Sequence, residues 1–387
     1  MNADFATFAD RDRLVDRLQQ LVRTPSENPP GEEAAAAALT VAFCDDLGLE
    51  VEEHEVEPGR PSVVARWRGG DGPTLCYCSH IDVVPAGDPA LWERDPYSGA
   101  IEDGRMHGRG SSDAKGPVAA SLEAVAILRR AGWEPQGTLQ LALVADEETM
   151  GFKGAGHLVE QGILKPDVAI VGEPTSLRVV RAQRGASWVR LTTRGIAGHG
   201  SAPERGVNAI KHMAEVVLHL EEALPDVTHP LLGGPTINVG TIRGGEKVNI
   251  IPAACVAEID RRTVPGETKE SVVEGIEEAV ERARKRFPDV DAHVDLAFFA
   301  ESFEVPPDAR VVTAAVEAIR AVTAREVDVI GFRGASDARF LFEAGADVIV
   351  CGPGDISLAH TARESIDLAE LESGAVAYAR AFASLLS

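Results

Sequence analysis

The chain has 387 residues, of which 44% are hydrophobic, enough for packed cores in one large domain or two smaller ones. With 61 acidic residues against 38 basic ones, the formal charge is -23, and this argues against nucleic acid, because phosphate binding relies on clustered Lys and Arg. No apolar run approaches the roughly 20 residues of a membrane span, and the start MNADFATFADRDRL has no basic or apolar leader segment, so a cytoplasmic protein away from membranes is expected.

Asp10 suits the N-cap of a helix whose apolar positions are Leu14, Leu18, Leu21 and Val22. TPSENPPG then breaks the chain, and a second helix runs through the alanine stretch to Leu47 and stops at Gly48. Residues 63–67 and 75–80 are expected as strands, and Pro117 fits the first turn of a helix that continues to Gly132. Residues 139–145 and 168–171 are short apolar runs typical of buried strands. This alternation of strands and helices implies an α/β fold with a central, mostly parallel sheet.

The pattern changes near Arg178. Residues 187–193 alternate like a half-exposed strand, 208–224 form a long amphipathic helix, 236–242 and 255–261 are strands, and 268–287 are helical. With a last strand near Val294, this is the pattern of a small α+β domain. From about Val305 the α/β pattern resumes, with a helix over 311–322, a buried strand over 348–351 and a terminal helix from Leu368. The expected organisation is a catalytic domain in two parts, residues 1–178 and 299–387, interrupted by an inserted α+β domain at 179–298.

The five cysteines, Cys44, Cys76, Cys78, Cys255 and Cys351, are odd in number and scattered, which does not suggest a disulfide framework. Most sit in apolar runs. Cys76 and Cys78 lie in LCYCSH and could form a thiolate pair, but no second pair completes a structural zinc site.

Five segments place ligand-type side chains after an apolar stretch or in a Gly-rich turn: CYCSHIDVVPAGD, GRGSSDAKG, LQLALVADEETMG, AIVGEPTS and ISLAHTARES. Loops at the carboxyl ends of strands build the sites of α/β sheets, so His80, Asp113, Glu147, Glu148, Glu173 and His360 could converge. Each has a plainer reading alone. A single histidine is usually a satisfied core or surface residue, Asp113 could cap a helix, Glu173 could be a turn residue, and Asp146, Glu147 and Glu148 could form a solvated loop. Together they suit divalent cations. Two histidines and several carboxylates fit Zn²⁺, with Mn²⁺ or Co²⁺ as alternatives, and a bridging carboxylate could hold two ions. The cations would also offset the repulsion among the acids.

SHIDVVPAG, GRGSSDAKG, ADEETMG, GEPT, AGHGSAP and AHTARESI, in that order, resemble the motifs of the M20 metallopeptidase/aminoacylase family. The resemblance runs from the first helix to the last. It implies a zinc-exopeptidase-like catalytic domain, and it makes the insert a lid/dimerisation domain. It also implies two Zn²⁺ ions, one held by His80 and Glu173 and the other by Glu148 and His360, with Asp113 bridging. Asp82 would orient the imidazole of His80, and Glu147 would be the general base. His199, in GIAGHGSAP, would stabilise the oxyanion and, in the family, reaches the partner subunit's site, so a homodimer is implied. Arg262 and Asn249 would contact substrate, with Ser336 and Gly334 of GASDARF lining the pocket and Arg184 a lesser candidate.

The substrate is less defined. GASDARF resembles the desuccinylase-type pattern, whereas GPGDISLAH resembles the acetylornithine deacetylase pattern. The expected activity is removal of an acyl group from an N-acyl-L-amino acid. The alternatives are an exopeptidase acting on short peptides, either a dipeptidase or a glutamate-type carboxypeptidase, and a non-catalytic protein that binds amino-acid derivatives.

Overall fold

The computed structural model describes residues 4–387, so the first three residues of the start read above lie outside the described residues. The chain divides into two compact units. One runs to Arg181 and takes in Val305–Ile330 and Ser336–Ser387; the other holds Ala182–Glu304 and Gly331–Ala335.

The first unit is built on a sheet with its strands in the order Glu50–Glu55, Pro61–Arg68, Thr138–Val144, Thr74–His80, Val168–Val171 and Asp347–Val350. The last four pair in parallel, while the first two join antiparallel. The sheet is thus parallel at its centre and mixed overall. TLCYCSH and TLQLALV are buried from their second residue onward, as strands covered on both faces must be. Helix Lys115–Arg130 is buried from Lys115 to Leu128 and packs on the terminal helix Leu368–Leu385, which packs in turn on Arg310–Thr323. Tyr77, on the central strand, donates to the Pro117 carbonyl at 2.8 Å, and Tyr378 donates to the Cys351 carbonyl at 2.7 Å. The two rings meet edge to face at 5.0 Å, and Phe382 lies 5.9 Å from each.

Strand Glu50–Glu55 has no counterpart among the expected elements. EVEEHE has a single apolar residue and gives no hydrophobic alternation. It forms as a charged strand at the sheet edge, where charge discourages further pairing. A small sheet of Ser365–Asp367, Arg105–His107 and Ala100–Glu102 is also unexpected, because three-residue strands leave no period to read.

Register in the parallel centre aligns the strand ends. His80 pairs with Val144, and Cys78 pairs with Val171. Residues 145–148 and 172–173 therefore leave the sheet beside His80, at the carboxyl ends of their strands.

The second unit has a four-stranded antiparallel sheet in the order Thr236–Gly244, Ala254–Thr263, Gly185–Arg194 and Asp291–Ala300. Helices Ala209–His219 and Lys269–Arg284 supply Met213, Val216 and Ile276 to a core with Val189, Leu191 and Ile259. The helix expected over 208–224 ends at His219 and is followed by a short 3₁₀ turn, Glu221–Ala223. Pro225 ends that turn, since it disfavours helical backbone at Leu224, which sits at φ -70° and ψ 140°. Among the described residues, no helix is long and apolar enough to cross a membrane.

Phe382 is fully buried between the sheet and the helical layer. We expect Phe382→Ala to destabilise the protein by about 3–5 kcal/mol, measured by urea unfolding.

Candidate metal centre

Five loops of the first unit bring their side chains together at the carboxyl ends of its parallel strands. His80 closes strand Thr74–His80, and Asp113 precedes helix Lys115–Arg130. Glu148 lies in the 3₁₀ turn Glu147–Thr149, Glu173 follows strand Val168–Val171, and His360 precedes strand Ser365–Asp367.

Asp113 stands between the two histidines. Its Oδ1 is 3.1 Å from His80 Nε2, and its Oδ2 is 3.3 Å from His360 Nε2. Glu173 Oε2 lies 3.9 Å from His80 Nε2, and Glu148 Oε2 lies 3.0 Å from His360 Nε2. Donor atoms of His80, Asp113 and Glu148 all fall within 4.8 Å of one another. Two donor sets thus share one carboxylate. Asp113 does not cap the helix that follows, because the cap position is Ala114 and no side chain caps it.

The orientation of His80 shows what these sets can hold. Its Nδ1 lies 2.9 Å from the main-chain oxygen of Asp82, with the Asp82 carboxylate at 3.6 Å. A ring that donates through Nδ1 turns an unprotonated Nε2 toward Asp113 and Glu173. A lone pair facing two carboxylates is repulsive unless a proton or a cation stands between them. Glu173 Oε1 is buried without a hydrogen-bond partner, which is costly for an anion. Nitrogen and oxygen donors in this arrangement, one of them unsatisfied, fit divalent cations.

Proton affinities show the same strain. Burial pushes the Glu173 carboxyl well above its ordinary value, against the pull of His80 and with the Asp113 charge adding to the rise. Burial also disfavours charge on Asp113, but the His360 and His80 rings set against it hold its carboxyl well below the usual range. Bonds to Asp113 and Glu148 lift His360 to about 10, against partial burial.

Glu147 stands beside these groups, half-buried. Burial raises its carboxyl well above the ordinary value, with Glu173 adding and His80 opposing. Its turn is held from several sides. The Glu147 and Glu148 amides donate to the two oxygens of Asp82, at 3.3 and 3.1 Å. Asn28 donates to Asp82 at 2.8 Å and to Thr149 at 2.9 Å. Asp146 and Met150 flank the turn at φ 73° and 86°, in the left-handed region that side chains disfavour, so the turn depends on its surroundings. The Asp146 carboxylate accepts from Lys153 N at 2.9 Å and pairs with Arg60 at 3.0 Å.

The remaining expected residues lie elsewhere. Ser336 is buried in the first unit, at the start of helix Ala338–Glu343. His199, Asn249, Arg262, Arg184 and Gly334 belong to the second unit. There His199 is exposed and pairs with Ile250 across a two-residue ladder, while its Nδ1 lies 2.7 Å from Ser201 Oγ. Gly200 N donates to Asn249 O at 2.9 Å, so the His199 and Asn249 turns are neighbours. Arg262 pairs with Asp260 at 3.0 Å. Arg184 donates to the Leu232 and Gly234 carbonyls, at 2.5 and 2.8 Å, and so holds a turn.

The cysteines are all free and buried. Burial pushes the Cys76 thiol up to about 12 and Cys78 well above its usual value, so neither supplies a thiolate.

Residues 76–384 match the sequence profile of peptidase family M20/M25/M40. The chain belongs to the M20 family. It is 31% identical over 387 residues to acetylornithine deacetylase of Proteus mirabilis, covering 96% of this chain and 95% of that protein. Its fold is that of the aminopeptidase PepT of Bacillus cereus, at a TM-score of 0.82 and 24% identity, covering 98% of this chain and 100% of the other. The Bacillus subtilis protein YXEP, a dinuclear metal binding peptidase of the M20 family, superposes at a TM-score of 0.75 and 17% identity, covering 97% of this chain and 98% of its own. The resemblance in the motifs therefore holds, and this M20 chain is a metallo-hydrolase.

Several supports of the M20 site have no assigned role in the sequence reading. Asn28 lies in TPSENPPG, which looks like a simple chain break. Arg60 lies before a strand. Asp337 and Arg339 lie within GASDARF, and Glu364 lies within AHTARESI. All five are buried, and a buried polar residue with distant partners leaves no periodic signal. For Asp337, Arg339 and Glu364 the local signal is an acid or base inside a motif segment; Asn28 and Arg60 carry none.

Arg60 grips Glu33, with Nη2 2.6 Å from its carboxylate, while it also pairs with Asp146. Arg60→Met would leave two buried carboxylates without a counter-charge, and we expect a loss of about 3–5 kcal/mol in chemical denaturation. Cation binding also requires neutral imidazoles. With His360 lifted to about 10, loading metal-free protein at pH 8 should release at least one proton per chain. Calorimetry in buffers of different ionisation enthalpy measures that release.

Proposed function

We propose that this M20 enzyme is a two-cation amidohydrolase that removes the acyl group from an N-acyl-L-amino acid. The observation that carries the reading is the division of donors about Asp113, with His80 against Oδ1 and Glu173 beside His80, while His360 stands against Oδ2 and Glu148 beside His360. We assign His80 and Glu173 to one ion, Glu148 and His360 to the other, and Asp113 to both. Zn²⁺ suits these donors best, ahead of Co²⁺ or Mn²⁺. When bound, the pair of cations supplies Lewis acidity toward the amide carbonyl and lowers the pKa of water.

Glu147 is the general base in this scheme. It has no place in either donor set, lies next to Glu148, and has a carboxyl already biased toward holding a proton. It takes a proton from the attacking water and passes it to the leaving nitrogen, so that the carbon–nitrogen bond breaks to give a carboxylate and a free amine. Asp82 fixes the site from behind, through its main-chain oxygen on His80 and its carboxylate under the Glu147–Glu148 amides.

The second unit, Ala182–Glu304 with Gly331–Ala335, would act as lid and dimerisation domain, bringing His199 as the hydrogen-bond donor to the oxyanion. Exposure of His199 on a short, well-bonded turn supports that role. Arg262 and Asn249 would bind the substrate carboxylate, with Ser336, Gly334 and Arg184 near the acyl pocket. Likeness to acetylornithine deacetylase over most of both chains supports a deacylase ahead of a peptidase.

The test is release of free amine from N-acetyl-L-ornithine, N-succinyl-L,L-diaminopimelate, N-acetyl-L-methionine and two dipeptides. We expect the metal-loaded enzyme to cleave an N-acyl amino acid. Glu147→Ala should keep its metal and lose about 10²–10⁴-fold in kcat. Cleavage of dipeptides alone would move the assignment to an exopeptidase. Turnover by Glu147→Ala at the wild-type rate would remove Glu147 as the base.

A further inference from the structure

Four residues beyond His360, Glu364 is almost fully buried, at 1% exposure. Neither of its oxygens faces the donor sets. Oε1 accepts from the amides of Ser112 and Asp113, both at 3.1 Å. Oε2 pairs with Arg109 Nη1 at 2.5 Å. Arg109 is itself buried, lies over the Trp92 ring at 5.2 Å, and reaches the Thr361 carbonyl at 3.5 Å. The backbone continues the link, since Gly108 N donates to Glu364 O at 3.1 Å and His107 pairs with Ser365.

The loop that carries His360 and the loop that carries Asp113 are therefore fastened by one side chain. Each part has a physical role. The two amides fix the backbone at Asp113, which leaves its carboxylate free to face both histidines. The guanidinium balances the Glu364 charge, so the clamp adds no net negative charge to a site already crowded with acids. His360 sits at φ 60°, in the left-handed region, and a histidine keeps that backbone only when its loop is held. His80 and Glu173 belong to the strand ends and do not hang from this clamp.

We propose that Glu364 is a positioning residue that sets the shared carboxylate of Asp113 against His360 and thereby controls occupancy of the second cation site. This rests on the two-ion reading above. The clamp needs an acceptor at both ends, with two amide donors on one oxygen and a guanidinium on the other. A glutamine of the same size has a single acceptor oxygen. Whichever way it turns, its NH₂ meets donors at one end. Glu364→Gln should therefore weaken the clamp while keeping the volume of the core.

The experiment is competitive titration of metal-free protein with Zn²⁺ against a chromophoric chelator, paired with the visible spectrum of the Co²⁺ form. Wild type binding two ions is the standard; wild type binding fewer would overturn the two-ion reading itself. In folded Glu364→Gln, checked by circular dichroism, we expect the site of His360 and Glu148 to weaken by about 10–100-fold, as loss of an outer partner of a ligand does. The first ion should stay within about threefold of wild type, well below that outer-partner loss. Two sites of unchanged affinity, or an equal fall in both, would overturn the positioning role. If Glu364→Gln does not fold, Arg109→Lys keeps the charge, gives up the planar fork, and is read by the same split.

Discussion

A single buried carboxylate, shared between two imidazoles, organises the candidate metal centre of this M20 chain. Asp113 lies 3.1 Å from one histidine and 3.3 Å from the other, and every other donor takes its place relative to that pair. The arrangement concentrates Asp82, Asp113, Glu147, Glu148 and Glu173 within a few loops. Like charges at this density are unfavourable in a protein interior unless positive charge joins them. Arg60 pairs with Asp146 and Arg109 with Glu364, so these two guanidiniums steady the loops around the donors about Asp113.

Sheet register is what makes the crowding geometrically simple. Parallel pairing aligns His80 with Val144 and Cys78 with Val171, so three neighbouring strands deliver ligand-type residues to one edge. Asp113 and His360 come from longer loops, and each needs more support. The clamp at Glu364 serves that need, while the Asn28–Asp82 network and the Arg60–Asp146 pair hold the Glu147–Glu148 turn. Buried ion pairs are poor sources of net stability. Here their value lies in holding loops that would otherwise separate.

Much of this is legible in the sequence. Central strands such as TLCYCSH and LQLALV are recognisable because burial on both faces demands continuous apolar runs. The acids and histidines after them stand out because such runs rarely end in ligand-type residues by chance. What stayed hidden follows from the same physics. EVEEHE forms a strand through its neighbour and not through its own pattern. Leu224 leaves the 3₁₀ turn because of Pro225. Asn28, Arg60 and Glu364 act through partners far away in sequence, and nothing local marks a polar residue as buried.

The central claim is that Asp113 is shared by two cations. Anomalous scattering at the zinc edge from crystals grown with Zn²⁺ tests it most directly. We expect two peaks about 3.5–4 Å apart on either side of the Asp113 carboxylate, one toward His80 and Glu173 and one toward His360 and Glu148. A single peak, or two peaks that Asp113 does not join, would contradict it.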